Sequence, residues 1–319
     1  MKDAIYITNL QPVTREVLES SSLRDEHFEL FLVTSSAEID IVNQSAAMRV
    51  INAVRPKLHQ EAISFLSIGC AGLFACILEF LQTDARNARV LLLETPADFV
   101  QATLDLANIG TGGDGFIAQD VSYVVDLSRS PAAGALRVAY CEILARPPAL
   151  SGTAKLAVRI LTRLRAIMRE FPEARVVTFE NCSEWSRRLA QTLSVLAPLE
   201  GVTLDWLPSV ENDRQHFMTV RPLLDLAANL SNARMRPLVL TCLGAGGRFG
   251  ILALSPDHDC GKVATATGMP KHLGQVVVRR SDRDTRGAPQ KIFYMQNEYY
   301  GLENFYFKWN VDLEGAQSA

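Results

Sequence analysis

Short apolar runs alternate with amphipathic stretches along the first 255 residues. An apolar run predicts a strand buried on both faces, whereas apolar residues at helical spacing predict a helix. The predicted strands are 28–34, 65–68, 91–93, 122–128, 136–144, 175–182, 201–207 and two strands joined by glycines within 237–255. The predicted helices are 45–57 and, approximately, 71–82, 154–171, 184–197 and 217–231.

Strands that alternate with helices predict an α/β protein with a mainly parallel sheet covered on both faces. The order of elements occurs twice, which indicates two similar halves, 1–148 and 149–255, although no residue-level repeat accompanies it. The character changes in 256–319, where turn-like, charged and aromatic-rich stretches follow one another. We expect this part to be a β-rich tail that packs on the body or serves as an interface.

The overall composition is that of an ordinary soluble globular protein, with 48% hydrophobic and 21% charged residues. A net charge of −3 argues against a nucleic-acid or anionic-membrane partner. No apolar stretch is long enough for a membrane span, and the N-terminus lacks the apolar core of a signal peptide. The six cysteines have no CxxC spacing, so neither a metal site nor a disulfide framework is predicted, and we expect a reducing cytoplasm.

One cysteine lies at a distinctive corner, in the segment SIGCAGLFACILEF (67–80). The predicted strand ends at Gly69, and a helix begins directly after Cys70. Unpaired N–H groups and the positive end of a helix dipole favour a thiolate there, and a neighbouring N–H could stabilise an oxyanion. Gly69 and Gly72 permit a tight turn and a close approach by a substrate. The alternative is a small buried structural cysteine, the interpretation that we favour for Cys76.

Four segments in register resemble the thiolase superfamily, in particular the ketoacyl-ACP synthase III-like condensing enzymes. They are FELFLVTSSAEIDIVNQSAAMRVINAV, the Cys70 segment, GTGGDGFIAQDVSYVVDLS with its Gly-Asp-Gly at 113–115, and QHFMTVRPLLDLAANLSNARMRPLVLTCLGAGGRFGILALS. Together they span roughly 28–255. The resemblance implies a thiolase-like fold whose two halves form a layered α-β-α-β-α core.

The resemblance also implies a site. Cys70 would be the nucleophile, and its N–H together with one from the turn Gly244, Ala245, Gly246 would bind the oxyanion, with Ala245 the best match. His216 matches the later catalytic position of the family and would polarise a thioester or shuttle protons. Its alternative role is to cap or pack on a helix.

The chain departs from the family pattern at the earlier catalytic histidine. Glu180 or Asn181 occupies that position, so the site would be Cys-Glu/Asn-His. A carboxylate could deprotonate an amine, an alcohol or an activated methylene, and the missing histidine favours a pre-activated or heteroatom acceptor over malonyl condensation. The family's N-terminal strand and covering insertion are also shortened, to the first 21 residues.

Two functional classes follow from these features. The first is a thioester-dependent acyltransferase or condensing enzyme of specialised or fatty-acid-type biosynthesis. It would take an acyl group from coenzyme A or an acyl carrier protein onto Cys70, without a further cofactor. The second is a degenerate subunit that shapes the pocket of an active ketosynthase. The fold implies a homodimer or a heterodimer in either case.

Overall fold

The computed structural model describes the main body and the strands of the tail. The described residues are 4–20, 23–24, 26–35, 45–58, 63–67, 69–94, 121–145, 152–177, 184–210, 218–244, 248–256, 276–278, 291–297 and 302–309. The helices are α1 Arg15–Glu19, α2 Ser45–Val54, α3 Gly72–Gln82, α4 Gly152–Glu170, α5 Glu184–Leu199, α6 Arg221–Ala228 and α7 Leu230–Met235. Two 3₁₀ turns precede central helices: the first is Gly69–Ala71 before α3, and the second is Met218–Val220 before α6.

The strands of the body form two sets with the same topology. The body strands are β1 Tyr6–Pro12, β2 His27–Phe28, β3 Leu30–Ser35, β4 Lys57–Leu58, β5 Ile63–Ser67, β6 Asn87–Glu94, β7 Val121–Ser128, β8 Leu136–Ala145, β9 Arg175–Val177, β10 Trp206–Leu207, β11 Leu238–Gly244 and β12 Arg248–Pro256. The first set has the order β5-β3-β6-β7-β1 and the second β10-β9-β11-β12-β8. Numbered within its own set, each order reads 3-2-4-5-1. This shared order confirms the two similar halves, although the predicted boundaries at 148 and 255 stay predictions.

The pairing directions are also the same in both sets. In each set the first three strands of the order pair in parallel, and the fourth strand of the order, β7 or β12, is antiparallel to both of its neighbours. The expectation of a mainly parallel sheet is therefore wrong, because eight of the twelve described pairings in the large sheet are antiparallel. The two sets meet where β1 pairs antiparallel with β8, through Tyr6 with Arg137 and Ile7 with Leu136. A short strand pair outside this sheet joins β2 to β4.

Alternate strand residues face different hydrophobic layers. In β3, Leu30 and Leu32 point to the middle of the molecule, where α3, α6 and α7 lie between the two sets of strands, whereas Phe31 and Val33 point to α1 and α2. A third cluster joins α4 and α5 to the outer face of the second set, where Phe249 and Ile251 of β12 contribute. The layers are therefore α-β-α-β-α, as the resemblance implies.

The tail adds three antiparallel strands to the edge of the first set. They are β13 Val276–Val278, β14 Lys291–Asn297 and β15 Leu302–Trp309, and β15 pairs with β5 from Tyr306 opposite Leu66 to Trp309 opposite Ile63. This arrangement confirms a β-rich appendage. It also means that β5 is hydrogen-bonded to a neighbouring strand on each of its two edges. A second copy of the chain could pair with β5 in a dimer only if β15 dissociated from it.

Three elements differ from the sequence prediction. The N-terminal strand that the sequence analysis treats as shortened is present as β1, with seven residues between β7 and β8. The strand predicted at 201–207 is limited to Trp206–Leu207. The helix predicted at 217–231 begins as a 3₁₀ turn and is divided at Asn229. The side-chain amide of Asn229 donates a hydrogen bond to the main-chain carbonyl oxygen of Asp225. Within the described part of the chain, no helix is long and apolar enough to cross a membrane.

Candidate active site

Cys70 lies in the strand–turn–helix corner that the sequence predicts. It occupies the first 3₁₀ turn, two residues before α3 begins, and is only 3% exposed. The N-cap residue Ala71 has no polar side chain, so it makes no side-chain capping bond to α3. The structure thus shows the corner, while the nucleophilic role of the thiol stays a prediction.

The second half of the chain packs directly on this corner. The first 3₁₀ turn contacts β11 and the second 3₁₀ turn. Cys242 of β11 donates a hydrogen bond of 2.7 Å from its thiol to the Cys70 carbonyl oxygen. The local sequence around Cys242 does not predict this hydrogen bond, because the bond joins residues that are 172 positions apart.

Gly72 makes the close approach between the halves possible. A Cβ added there would lie 2.2 Å from Thr34 Oγ1 and 2.5 Å from Thr219 Oγ1. Both threonines are fully buried, and Thr34 Oγ1 has no hydrogen-bond partner among the described residues. The glycine is therefore needed for packing against protein hydroxyls, which is a different reason from the substrate approach expected from the sequence.

Two other thiols in the same core are held in the neutral form. Burial raises the pKa of Cys76, and Glu79 adds to the effect, while burial followed by the charge of Glu142 raises the pKa of Cys141. Cys141 also donates to the Phe74 carbonyl at 3.6 Å. These properties are typical of structural thiols, as the sequence analysis favours for Cys76.

The other predicted site residues fall only partly on the described chain. Gly244 is the last residue of β11 and pairs with Arg248 across the turn. The remaining candidates lie outside the described residues: Glu180, Asn181, His216, Ala245 and Gly246. Their described neighbours in sequence are Val177, Met218 and Gly244. Of these, Gly244 and Met218 belong to β11 and the second 3₁₀ turn, the two elements that contact the Cys70 corner.

The overall architecture is similar to that of several solved enzyme structures. The tetronic acid condensing enzyme AbyA1 shares 14% identity and a TM-score of 0.50, covering 75% of this chain and 79% of its own. The acyltransferase ChlB3 shares 13% identity and a TM-score of 0.52, covering 80% and 97%. OleA from Xanthomonas campestris with bound acetamide shares 10% identity and a TM-score of 0.52, covering 75% and 80%. No family model and no curated protein sequence matches the chain.

The chain has a thiolase-like fold. The resemblance to condensing enzymes inferred from the four sequence segments is therefore confirmed for the fold. At identities of 10–14% the similarity extends to the architecture alone. Within this thiolase-like fold, Cys70 precedes the central helix of the first half, and the second 3₁₀ turn precedes that of the second half.

Proposed function

We propose that the chain is a thioester-dependent acyltransferase or condensing enzyme that carries an acyl group on Cys70. One observation supports this most strongly. The Cys70 corner begins the buried helix between the two sheets, and β11 and the turn that follows the His216 segment pack against it. Candidate groups from both halves of the chain can thus converge on one sulfur atom.

The first step transfers the acyl group from its carrier to the protein. Cys70 Sγ loses its proton to His216 and attacks the thioester carbonyl, so that a new Cys70–S–acyl bond forms as the carbonyl–sulfur bond to coenzyme A or carrier protein breaks. The leaving thiolate takes up the proton. No electron is gained or lost, and no cofactor is needed for this exchange.

Main-chain N–H groups would stabilise the negative charge that develops on the carbonyl oxygen. We assign this role to the N–H of Cys70 and to one from Ala245 or Gly246, which follow Gly244 at the end of β11. Backbone donors do not depend on the side chain, so alanine at 245 is compatible with the role.

The second step passes the acyl group to an acceptor. Glu180 or Asn181 replaces the usual histidine, and a carboxylate at 180 would deprotonate an amine, an alcohol or an activated methylene as it attacks acyl-Cys70. The structural neighbours include both a condensing enzyme and an acyltransferase, which supports either kind of acceptor for this fold. Coenzyme A or an acyl carrier protein is the proposed donor, and a dimer the proposed assembly.

Intact-protein mass spectrometry after incubation with acyl-CoA and acyl-carrier-protein thioesters tests the first step. Wild type should gain the mass of the acyl group, and Cys70→Ala should not. Cys76→Ala is the matched control, because this thiol lies on α3, directly after the Cys70 turn, is fully buried and should leave the loading unchanged.

Absence of loading across the thioester panel would contradict the proposed activity. It would favour the second functional class, a partner subunit without acyl transfer. Co-purification with an active ketosynthase would then be the next measurement. Loading that persists in Cys70→Ala would show that the acyl group is carried by another residue.

A further inference from the structure

A buried ion pair lies next to the segment that carries His216. Arg221 and Asp225 are one turn apart on α6, their side chains are 0% and 1% exposed, and Arg221 Nη2 lies 2.9 Å from Asp225 Oδ2. Taking two charges out of water is costly, and apolar side chains of similar volume often stabilise a fold as well or better. A buried pair at this place therefore needs a reason other than stability.

The pair bonds to the described residues that come just before 211–217. Asp225 Oδ1 accepts hydrogen bonds of 2.9 Å from Ser209 Oγ and 2.9 Å from the Val210 main-chain N–H. Val210 is the last described residue before the segment, and the second 3₁₀ turn leads from it directly into Arg221. The chain before the His216 segment is thus bonded to the helix that follows the segment.

Arg221 also bonds to β11. Residues of β11 in turn bond to Cys70 and to the residue that precedes the Glu180 segment. Arg221 Nη1 donates to the Thr241 carbonyl at 3.1 Å, and Thr241 Oγ1 donates to the Val177 carbonyl at 3.3 Å. Val177 is the last described residue before Glu180 and Asn181. The next residue of β11, Cys242, holds the Cys70 carbonyl.

We infer that Arg221 and Asp225 are positioning residues that set the placement of His216 relative to Cys70. The inference rests on the proposed function, in which His216 takes the Cys70 proton. Neither side chain is assigned a contact with substrate. Proton transfer requires hydrogen-bond distance, and an error of about 1 Å in placement can cost about a hundredfold in rate. The pair joins the residue before the His216 segment to the helix after it, and so limits how far these two parts of the chain can separate.

A double-mutant cycle with His216 separates positioning from a purely structural role. The volume-matched pair variant is Arg221→Met with Asp225→Leu, and Asp225→Asn is the conservative variant, which keeps an acceptor for Ser209 and Val210. Each is made in the wild-type and His216→Ala backgrounds. Two rates are measured by intact-protein mass spectrometry: acylation of Cys70 by octanoyl-CoA, and alkylation of Cys70 by iodoacetamide as a function of pH.

In the wild-type background, the pair variant should slow acylation at least tenfold. In the His216→Ala background, the same change should slow it less than twofold. The acylation rate of Asp225→Asn should lie between those of wild type and the pair variant. The pH profile of alkylation should shift toward that of His216→Ala. Arg15→Met with Glu19→Leu is the control, since this exposed i,i+4 pair on α1 should change neither rate. If the pair variant does not show a cooperative unfolding transition, the inference is tested with Asp225→Asn alone, by comparing its effect on the two rates in the wild-type and His216→Ala backgrounds.

Equal losses in both backgrounds would overturn the inference, because they would show that the pair acts without His216. The alkylation measurement also separates this failure from that of the proposed function. If no thioester loads but alkylation shows the coupling, the acyltransferase proposal fails and the positioning role remains. If loading occurs without coupling, the activity remains and the positioning role is excluded.

Discussion

The Cys242 thiol donates to the main-chain carbonyl of Cys70, although 172 residues separate the two in sequence. This contact fixes the 3₁₀ turn of the first half against β11 of the second. Cys242→Ala should therefore loosen the corner and slow the acylation of Cys70 by roughly tenfold, corresponding to about 1.4 kcal/mol in the transition state. Cys242→Ser, which retains a donor, should be slowed less. The measurement is single-turnover loading followed by mass spectrometry.

Cys141→Ala is the matched control for this experiment. Its thiol donates to the Phe74 carbonyl, one turn further along α3, and it is as deeply buried as Cys242. Its loss should lower the free energy of unfolding without selectively slowing acylation. Equal effects of both alanine variants on the rate would show that the corner does not depend on the Cys242 contact.

Gly72→Ala should destabilise the protein by introducing a methyl group into filled space. The new Cβ would lie 2.2 Å from Thr34 Oγ1, a distance that requires backbone or side-chain movement. Overpacking of this kind costs about 1–3 kcal/mol. Urea unfolding should show the loss, and Thr34→Ser combined with Gly72→Ala should recover little, because the hydroxyl itself makes the clash. Unchanged stability of Gly72→Ala would contradict the close packing of Thr34 and Thr219 around Gly72.

Stability should fall at alkaline pH because of two buried thiols. The pKa values of Cys76 and Cys141 are raised by burial, whereas the same thiols ionise near their ordinary pKa of 9.0 in the unfolded chain. Above that pH the unfolded state binds fewer protons than the folded state, so the free energy of unfolding decreases by about 1.4 kcal/mol per thiol and pH unit. Below it, this contribution is fully present.

Urea titrations under reducing conditions between about pH 8 and about pH 10 measure this slope. The double variant Cys76→Ala with Cys141→Ala should have a shallower slope than wild type, even though it is less stable at neutral pH. If the pH dependence of the free energy of unfolding were the same in the double variant as in wild type, the loss of stability at alkaline pH would come from other groups.

Removal of the tail should uncover one edge of β5. Truncation after Pro256 deletes β13, β14 and β15 and leaves the outer main-chain groups of residues 63–66 without their β15 partners. Exposed strand edges pair with other chains, so we expect concentration-dependent self-association in light scattering after size exclusion. Truncation after Trp309 keeps β15 and is the control. If both truncated chains show the same mass as the full chain, the edge is protected in another way.

Local patterns predict most of the elements that surround Cys70. The apolar run 28–34 and the helix after Cys70 appear in the structure as β3 and α3, because buried strands and apolar helices are recognisable from spacing alone. The repeated order of elements likewise predicts two similar halves. Glycines within 237–255 mark the turn between β11 and β12.

Contacts between distant residues are not predictable in this way. The three leucines at 91–93 predict a buried strand, yet Arg89, two residues earlier on the same strand, is also fully buried and bonds to Asp126 of β7 at 2.8 Å and to Glu26. Nothing in the local sequence reveals which carboxylates will neutralise a buried guanidinium. The Arg221–Asp225 pair is visible as an i,i+4 spacing, but its bonds to Ser209, Val210 and Thr241 depend on the tertiary fold.

The position of β1 has a consequence for how the protein unfolds. Six of its residues pair on one side with β7, the last strand of the first half, and Tyr6 and Ile7 pair on the other side with β8, the first strand of the second. Neither half can open at this seam without breaking backbone bonds of the other, and α3 is packed against both sheets. The two halves should therefore melt in one cooperative transition, with equal calorimetric and van't Hoff enthalpies, despite a duplicated topology that would allow two independent domains.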